Sequence, residues 1–496
     1  MGGDVQVCGG KATMGCGMEA SQWALLHGLA VSSGSSSTSQ NASANPGCGL
    51  EQATPAPVSI RPTPFPKKAF QQAKRLAHSA NVAMRTAANK KEFLLEAVAP
   101  AAEHDPFTKR LVDLLVQGDD PQANQPNTWK KNRLGVLRAD YMVDQATKSL
   151  LQVEINTIAS SFAALATRTS EMHRTLNRKD QEHMPVNDAL EGVADALATA
   201  AMAYQVDEGN GEVGGKDPKD VVLFVVQPHE RNIFDQLWIA DRMWELHRVS
   251  TIRATLKEIA DESRLDENGS LWLNGKRVSV AYFRAGYSPD DYPSEKEWEG
   301  RARIHTSNVC ECPDVALHLA GTKKVQQMLA VPGTLEGLLG EESPHVDALR
   351  ECFAGLWSLD GLQETEAVEI ALANPKQFVL KPQREGGGNN IYGEDILPVL
   401  HSRKGLGGYI LMQRIFPPLH RTPMLRNGKV REVDAVSELG IYSVFLEKDG
   451  QVLVDEGVGH LLRTKAAESD EGGVAAGFAV LDSPLLVEDE AYWASL

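Results

Sequence analysis

Lys381-Pro382-Gln383-Arg384-Glu385-Gly386-Gly387-Gly388-Asn389-Asn390 follows the apolar run Gln377-Phe378-Val379-Leu380, which reads as a strand. Three adjacent glycines after a strand leave backbone N–H groups free of side-chain cover, and such a loop can wrap phosphate oxygens. Lys381 puts a positive charge at the strand end, and Arg384 can add another. Glu385 within the loop opposes a bare phosphate; it makes sense with a divalent cation between carboxylate and phosphate. No Gly-Lys-Ser/Thr closes the loop, so it is neither a Walker A segment nor a dinucleotide fingerprint. Taken alone, the segment also fits a tight surface turn.

Outward from this loop, residues 409–415 read as a further strand, and strands at 433–446 and 451–455 flank the Lys448-Asp449-Gly450 turn. Arg463 and Lys465 lie two apart in an extended segment, so both face one side. A second glycine-rich stretch, Gly472-Gly473-Val474-Ala475-Ala476-Gly477, follows them. Far upstream, residues 134–145 and 150–156 read as two strands around a turn. Val153 and Ile155 alternate there with Glu154 and Asn156, which places two oxygen-bearing side chains on one face about 6 to 7 Å apart. Glu, Asn and water together are hard-cation ligands. On its own, Glu-x-Asn is more often a wet strand face.

The rest of the chain supplies the frame. Residues 18–32 read as a short amphipathic helix after a disordered extension at 1–17, and 67–117 is helical in its apolar spacing, with Asp105 as a cap before Pro106. Residues 162–174 and 187–204 are helical, and the Gly-rich stretch 208–216 reads as a linker. A buried-type strand at 221–226, a helix at 232–247, a strand at 249–254 and a hairpin around Asn274-Gly275-Lys276 make a small α/β unit. Residues 313–348 are mainly helical. The divisions expected are 1–17, 18–216, 217–320, 321–354, 355–425 and 426–496. With 50 Lys and Arg against 66 Asp and Glu, the net charge of -16 speaks against a general nucleic-acid binder. Six scattered cysteines form no disulfide framework and suit a reducing compartment; Cys310-Glu311-Cys312 lacks the second ligand pair of a structural zinc site. No apolar run approaches the roughly 20 residues that span a bilayer. A cytoplasmic location is expected, with an organellar address in residues 1–17 left open.

Six segments together resemble the eukaryotic-type glutathione synthetases, a family of ATP-grasp ligases, from about residue 18 to the end. They are Val153-Glu-Ile-Asn-Thr-Ile158, Glu230-Arg-Asn-Ile-Phe-Asp-Gln236, Ala320-Gly-Thr-Lys-Lys-Val-Gln-Gln327, Lys381 to Asn390, Ser437-Glu-Leu-Gly-Ile441 and Val458-Gly-His-Leu-Leu-Arg-Thr-Lys465. The resemblance implies an α/β (α+β) ATP-grasp fold, with a small inserted substrate-binding domain at 217–320 and a mobile lid at 355–425. It implies ligation of γ-glutamylcysteine to glycine through an acyl phosphate, with ATP as co-substrate, magnesium as cofactor and a homodimeric assembly, without nucleic acid or membrane.

Residue by residue, the resemblance implies Glu154, Asn156 and Glu385 as magnesium ligands. Nucleotide contacts fall on Glu154, Lys323, Lys381, Pro382, Gln383, Arg384, Glu385, Gly386, Gly387, Gly388, Asn389, Asn390 and Tyr392. They continue through the hinge Met412, Gln413, Arg414 and Ile415 to Glu438, Lys465 and Glu471. Substrate contacts fall on Arg138, Ile158, Ala159, Ser160, Ser161, Glu230, Arg231, Asn232, Gln236, Arg284, Ala285, Gly286, Tyr287 and Arg463, with Val474 and Ala475 in the closing loop. Arg463, Lys323, Lys381 and Arg138 take the catalytic roles. Ala159 stands where relatives often carry a hydroxyl, Ala285 and Glu471 where aspartate is common, and Gln413 where glutamate is common. Since backbone groups would read the adenine at the hinge, the Gln413 side chain should matter little. Two alternatives are a relative using another amine, such as β-alanine, and a non-catalytic relative with a binding role.

Overall fold

The computed structural model describes residues 10–32, 53–117, 132–207, 220–360, 364–383, 389–469, 474 and 479–496. A seven-stranded sheet forms the body. Its order is His420–Arg426, Val58–Ser59, Ala479–Asp482, Gln451–Ala466, Lys429–Lys448, Asn132–Val143 and Leu150–Asn156. Lys429–Lys448 and Gln451–Ala466 are the long strands, joined by the tight turn at Asp449-Gly450, where both residues have positive φ. The helices Lys67–Asn89, Ala163–Leu176 and Ala189–Asp207 pack on this sheet. Asp105 caps the helix Pro106–Gln117 as expected, accepting from Phe107 N and Thr108 N.

The small unit is a six-stranded sheet running from Asp220–Val225 to Cys310–Cys312. Its strand Asp220–Val225 pairs in parallel with both Ser250–Ala254 and Lys276–Phe283. Parallel strands are covered on both faces, which explains the unbroken apolar run. Val221, Leu223 and Val225 feed one core, while Val222, Phe224 and Val226 feed another. The expected hairpin is present, with Asn274 at φ 51° and Gly275 at φ 74°. Cys310, Cys312 and Cys352 are buried free thiols.

A third, antiparallel sheet has the order Leu356–Ser358, Tyr409–Gln413, Phe378–Pro382 and Ile391–Tyr392. It has its own core, including Leu359, Val368, Phe378, Leu380, Ile396 and Leu411. This lid sheet, named for the segment expected to form a lid, ends at Gln413. The 355–425 boundary is corrected: His420–Arg426 pairs with Lys429–Lys448 and Val58–Ser59 in the body. The cause is the Asn427-Gly428 turn, with φ 48° and 71°, which folds 420–426 back as a hairpin arm. The N-terminus is corrected too. The first helix is Gly10–Leu26, so it enters the segment expected to be disordered and stops before Ala30–Ser32, which is a strand. Among the described residues no helix is long and apolar enough to cross a membrane.

Candidate functional site

A cavity of about 600 Å³ opens between the body sheet, the lid sheet and the small unit. The strand Leu150–Asn156 is the edge of the body sheet, and Glu154 and Asn156 both face the cavity. Ile155 between them is clamped from the other side. Its N–H donates to Gln326 Oε1 at 2.7 Å, and Gln326 Nε2 donates back to Ile155 O at 3.1 Å. One side chain thus supplies the hydrogen bonds that a further strand would have made. Gln326 sits on the helix Lys323–Ala330, whose first residue is Lys323 and whose cap is Thr322.

Lys323 Nζ lies 3.1 Å from Glu154 Oε2, and Lys381 Nζ lies 3.8 Å from the same oxygen. Lys381 Nζ also donates to Val153 O at 3.0 Å. Burial alone would raise the Glu154 carboxyl, but Lys323, Lys381 and Arg463 outweigh it and hold Glu154 far below the usual carboxylate range. Glu438 goes the other way: burial pushes it up, Asp140 and Glu154 add to this, and its contact with Arg463 offsets only part. Arg463 and Lys465 both line the cavity, as their alternation requires, while Thr464 between them points into the body and donates to Asp482 at 2.7 Å.

The lid sheet forms the opposite wall with Val379, Lys381, Asn390 and Tyr392 and with Met412 to Ile415, the segment expected as a hinge. Val153, Val379, Met412, Ile415, Met142 and Val436 give this end an apolar lining suited to a flat heterocycle. Gln413 Oε1 accepts from Gly355 N at 3.0 Å, so its amide serves the hinge backbone. Arg414 lies 5.5 Å from the ring centroids of both Tyr392 and Phe416.

The small unit contributes Glu230, Arg231, Asn232, Arg284 and Tyr287. Glu230 is held by Asn232 N at 2.7 Å and Gln236 Nε2 at 2.5 Å. Asn232 has both side-chain polar atoms buried without partners, and Arg284 has Nε and Nη1 in the same condition. Buried donors left open at a cavity wall await a polar ligand. Tyr287 is pushed up to about 12 by burial, with Asp291 and Glu230 adding to the shift. Ile158, Ala159, Ser161 and Val474 also line the cavity. Ala159 and Phe162 have φ of 50° and 75°, in a loop secured by Asp235, which accepts from Phe162 N and Ala164 N at 2.9 Å each.

Some expected residues stand behind this wall. Ser160 donates to Asn156 O, Gln383 accepts from Lys324 N, Gln236 supports Glu230, and Gly286 N donates to Asp291. Ala285 is buried, while Pro382 and Asn389 are outside the lining. Arg384, Glu385, Gly386, Gly387, Gly388, Glu471 and Ala475 lie outside the described residues. Sequence reasoning missed Asp140, Asp235, Gln227 and Gln326. Asp140 carried a signal, since it shares a strand face with Arg138 at the two-residue spacing used for Glu154 and Asn156.

The model of the eukaryotic glutathione synthase ATP-binding domain matches residues 13–486. The chain belongs to the eukaryotic glutathione synthase family. It is 42% identical over 477 residues to a chloroplastic glutathione synthetase from Solanum lycopersicum, covering 94% of this chain and 83% of that one. Identity to the Xenopus laevis glutathione synthetase is 41% over 445 residues, or 87% of this chain and 90% of that one. For the Homo sapiens enzyme it is 38% over 442 residues, or 86% and 90%. A solved glutathione synthetase-like effector from Globodera pallida superposes with a TM-score of 0.74, at 23% identity, over 96% of this chain and 97% of that one; it speaks for the fold alone. As in the family at large, the fold is ATP-grasp and the chemistry is ATP-dependent ligation.

Proposed function

We propose that the cavity joins the C-terminal carboxylate of γ-glutamylcysteine to the amine of glycine, giving glutathione, ADP and phosphate. One observation carries this reading: Glu154 and Lys381 meet Arg138, Arg284 and Arg463 in one cavity, with Lys323 behind the wall against Glu154, so that ammonium groups suited to phosphate face guanidiniums suited to carboxylate. A carboxylate oxygen of the dipeptide attacks the γ-phosphorus of ATP, and the bond to the β-phosphate oxygen breaks with ADP leaving. The acyl phosphate so formed is attacked at its carbonyl carbon by the glycine amine. Phosphate departs with the bonding electrons, and the amine gives up a proton to solvent. No side-chain nucleophile is required.

Lys323 and Lys381 would hold and neutralise the transferring phosphoryl group, and Arg463 would meet the negative charge growing at the acyl centre. Arg284 and Arg138 would fix the dipeptide, and Glu230 its cationic amine. Asn156 fits a place beside a hard cation, because its Nδ2 is committed to Arg138 O and Asp140 Oδ2, which leaves its oxygen for the cavity. Glu154, kept ionised by its cationic neighbours, fits as well. We place magnesium on Glu154 and Asn156, with Glu385 as the third protein ligand; when bound it supplies charge neutralisation for the phosphates. The assembly is proposed to be a homodimer.

The test is an amine panel with γ-glutamylcysteine and ATP. Glycine should be the preferred acceptor. Preference for β-alanine or another larger amine would overturn the assignment of the acceptor while leaving the ligase chemistry standing.

A further inference from the structure

The motif beginning at Ser437 ends with Gly440 and Ile441, and no contact described above explains its glycine. Gly440 pairs with Asp140 across antiparallel strands. A β-carbon on Gly440 would stand 2.7 Å from Asp140 Oδ1 and 2.8 Å from Arg138 Cδ, closer than atoms pack. The bare backbone therefore lets Asp140 and Arg138 lie across the sheet. Asp140 is 0% exposed and stands behind the cavity wall. Arg138 grips it with two bonds, Nε to Oδ1 at 2.7 Å and Nη2 to Oδ2 at 2.9 Å. The same Oδ2 accepts from Arg463 Nη2 at 3.0 Å and from Asn156 Nδ2 at 2.9 Å.

We infer, resting on the assignment of Arg138 and Arg463 to the dipeptide, that Asp140 seated against Gly440 is the positioning residue of both arginines. It fixes them, and the amide of Asn156, before substrate arrives. Two guanidiniums that share one carboxylate stay close together; without it they repel and swing apart. Long side chains ordered in the free protein need not be ordered on binding, so the dipeptide meets a preformed site. An asparagine at 140 would keep the volume but turn an N–H toward donors. Arg463 would retain Glu438 and Arg138 would retain Ser161 O, so the pair would be loosened rather than lost.

Calorimetric titration of the full chain tests this, with γ-glutamylcysteine and, separately, ATP in saturating magnesium, on wild type, Arg138→Ala, Asp140→Asn and Gly440→Ala. Asp140→Asn and Gly440→Ala should each weaken dipeptide binding by about tenfold to a hundredfold, the worth of charged hydrogen bonds, with ATP affinity unchanged. Unchanged ATP affinity also reports an intact fold. If Arg138→Ala weakens dipeptide binding and the other two variants do not, the positioning role is overturned. If Arg138→Ala binds dipeptide as wild type does, the assignment of Arg138 fails instead. Should Asp140→Asn lose both ligands, Gly440→Ala decides: selective loss of dipeptide supports the role, and equal loss of both overturns it.

Discussion

Glu154 is the carboxylate on which the site's lysines meet. Two lysines from different parts of the chain converge on its Oε2, one from the start of a helix and one from the end of a lid strand. Both lysines balance the one Glu154 charge; on the proposed reading the same two lysines serve the phosphates when nucleotide binds. Glu154→Gln keeps the shape and removes the charge. It should lower kcat by about a hundredfold or more, the scale of losing one electrostatic contact in a transition state, while the thermal transition stays cooperative. Lys381→Ala should act similarly and also raise the KM for ATP. Wild-type kinetics in both variants would remove the cluster from catalysis. The alternation Val153, Glu154, Ile155, Asn156 made this face legible from sequence, because a strand leaves only one other choice of face. Asp140 was harder to read: Arg-x-Asp on a strand describes a solvated surface pair equally well, and only the neighbouring strand, almost 300 residues away in sequence, shows that it is buried.

At the scale of elements, the edge strand Leu150–Asn156 is held by Gln326 where another strand would be. Gln326→Ala would leave the Ile155 N–H and C=O buried and unpaired, at about 1 to 3 kcal/mol. Because Gln326 ties Lys323's helix to the Glu154 strand, the variant should also need more magnesium for half-maximal rate. Urea unfolding and a magnesium titration of activity check both parts; a destabilised protein with unchanged magnesium dependence would make the clamp purely structural. Local signals such as the Asn274-Gly275 hairpin and the Asp105 cap were readable because turns and caps are made by adjacent residues. The clamp was not, since a glutamine that imitates a strand has no periodicity. The lid boundary was missed for a smaller reason: Asn427-Gly428 is itself a hairpin signal, and it sends 420–426 into the body sheet.

For the whole molecule, stability should depend on pH through two buried histidines outside the catalytic cluster. Burial pushes His318 and His460 down to about 3 from 6.5, with Arg301 and Lys74 respectively adding to it. Between these values the unfolded chain takes up a proton at each histidine and the folded chain does not. Stability is therefore fully present above about pH 6.5 and falls as pH is lowered, by up to about 1.4 kcal/mol per unit for each. The urea midpoint should drop between about pH 7 and about pH 5, and His318→Leu should make the drop smaller; an unchanged drop would contradict the assignment. The body sheet, the lid and the small unit meet at the one cavity where this account places ligation. Phosphate release and tripeptide formation, measured together on the purified chain with ATP and magnesium, decide whether ligation takes place there. Each of γ-glutamylcysteine and glycine is left out in turn. Tripeptide and phosphate should appear in equal amounts, and tripeptide only when both substrates are present. Phosphate release that ignores both, or that proceeds with both present but yields no tripeptide, would contradict ligation.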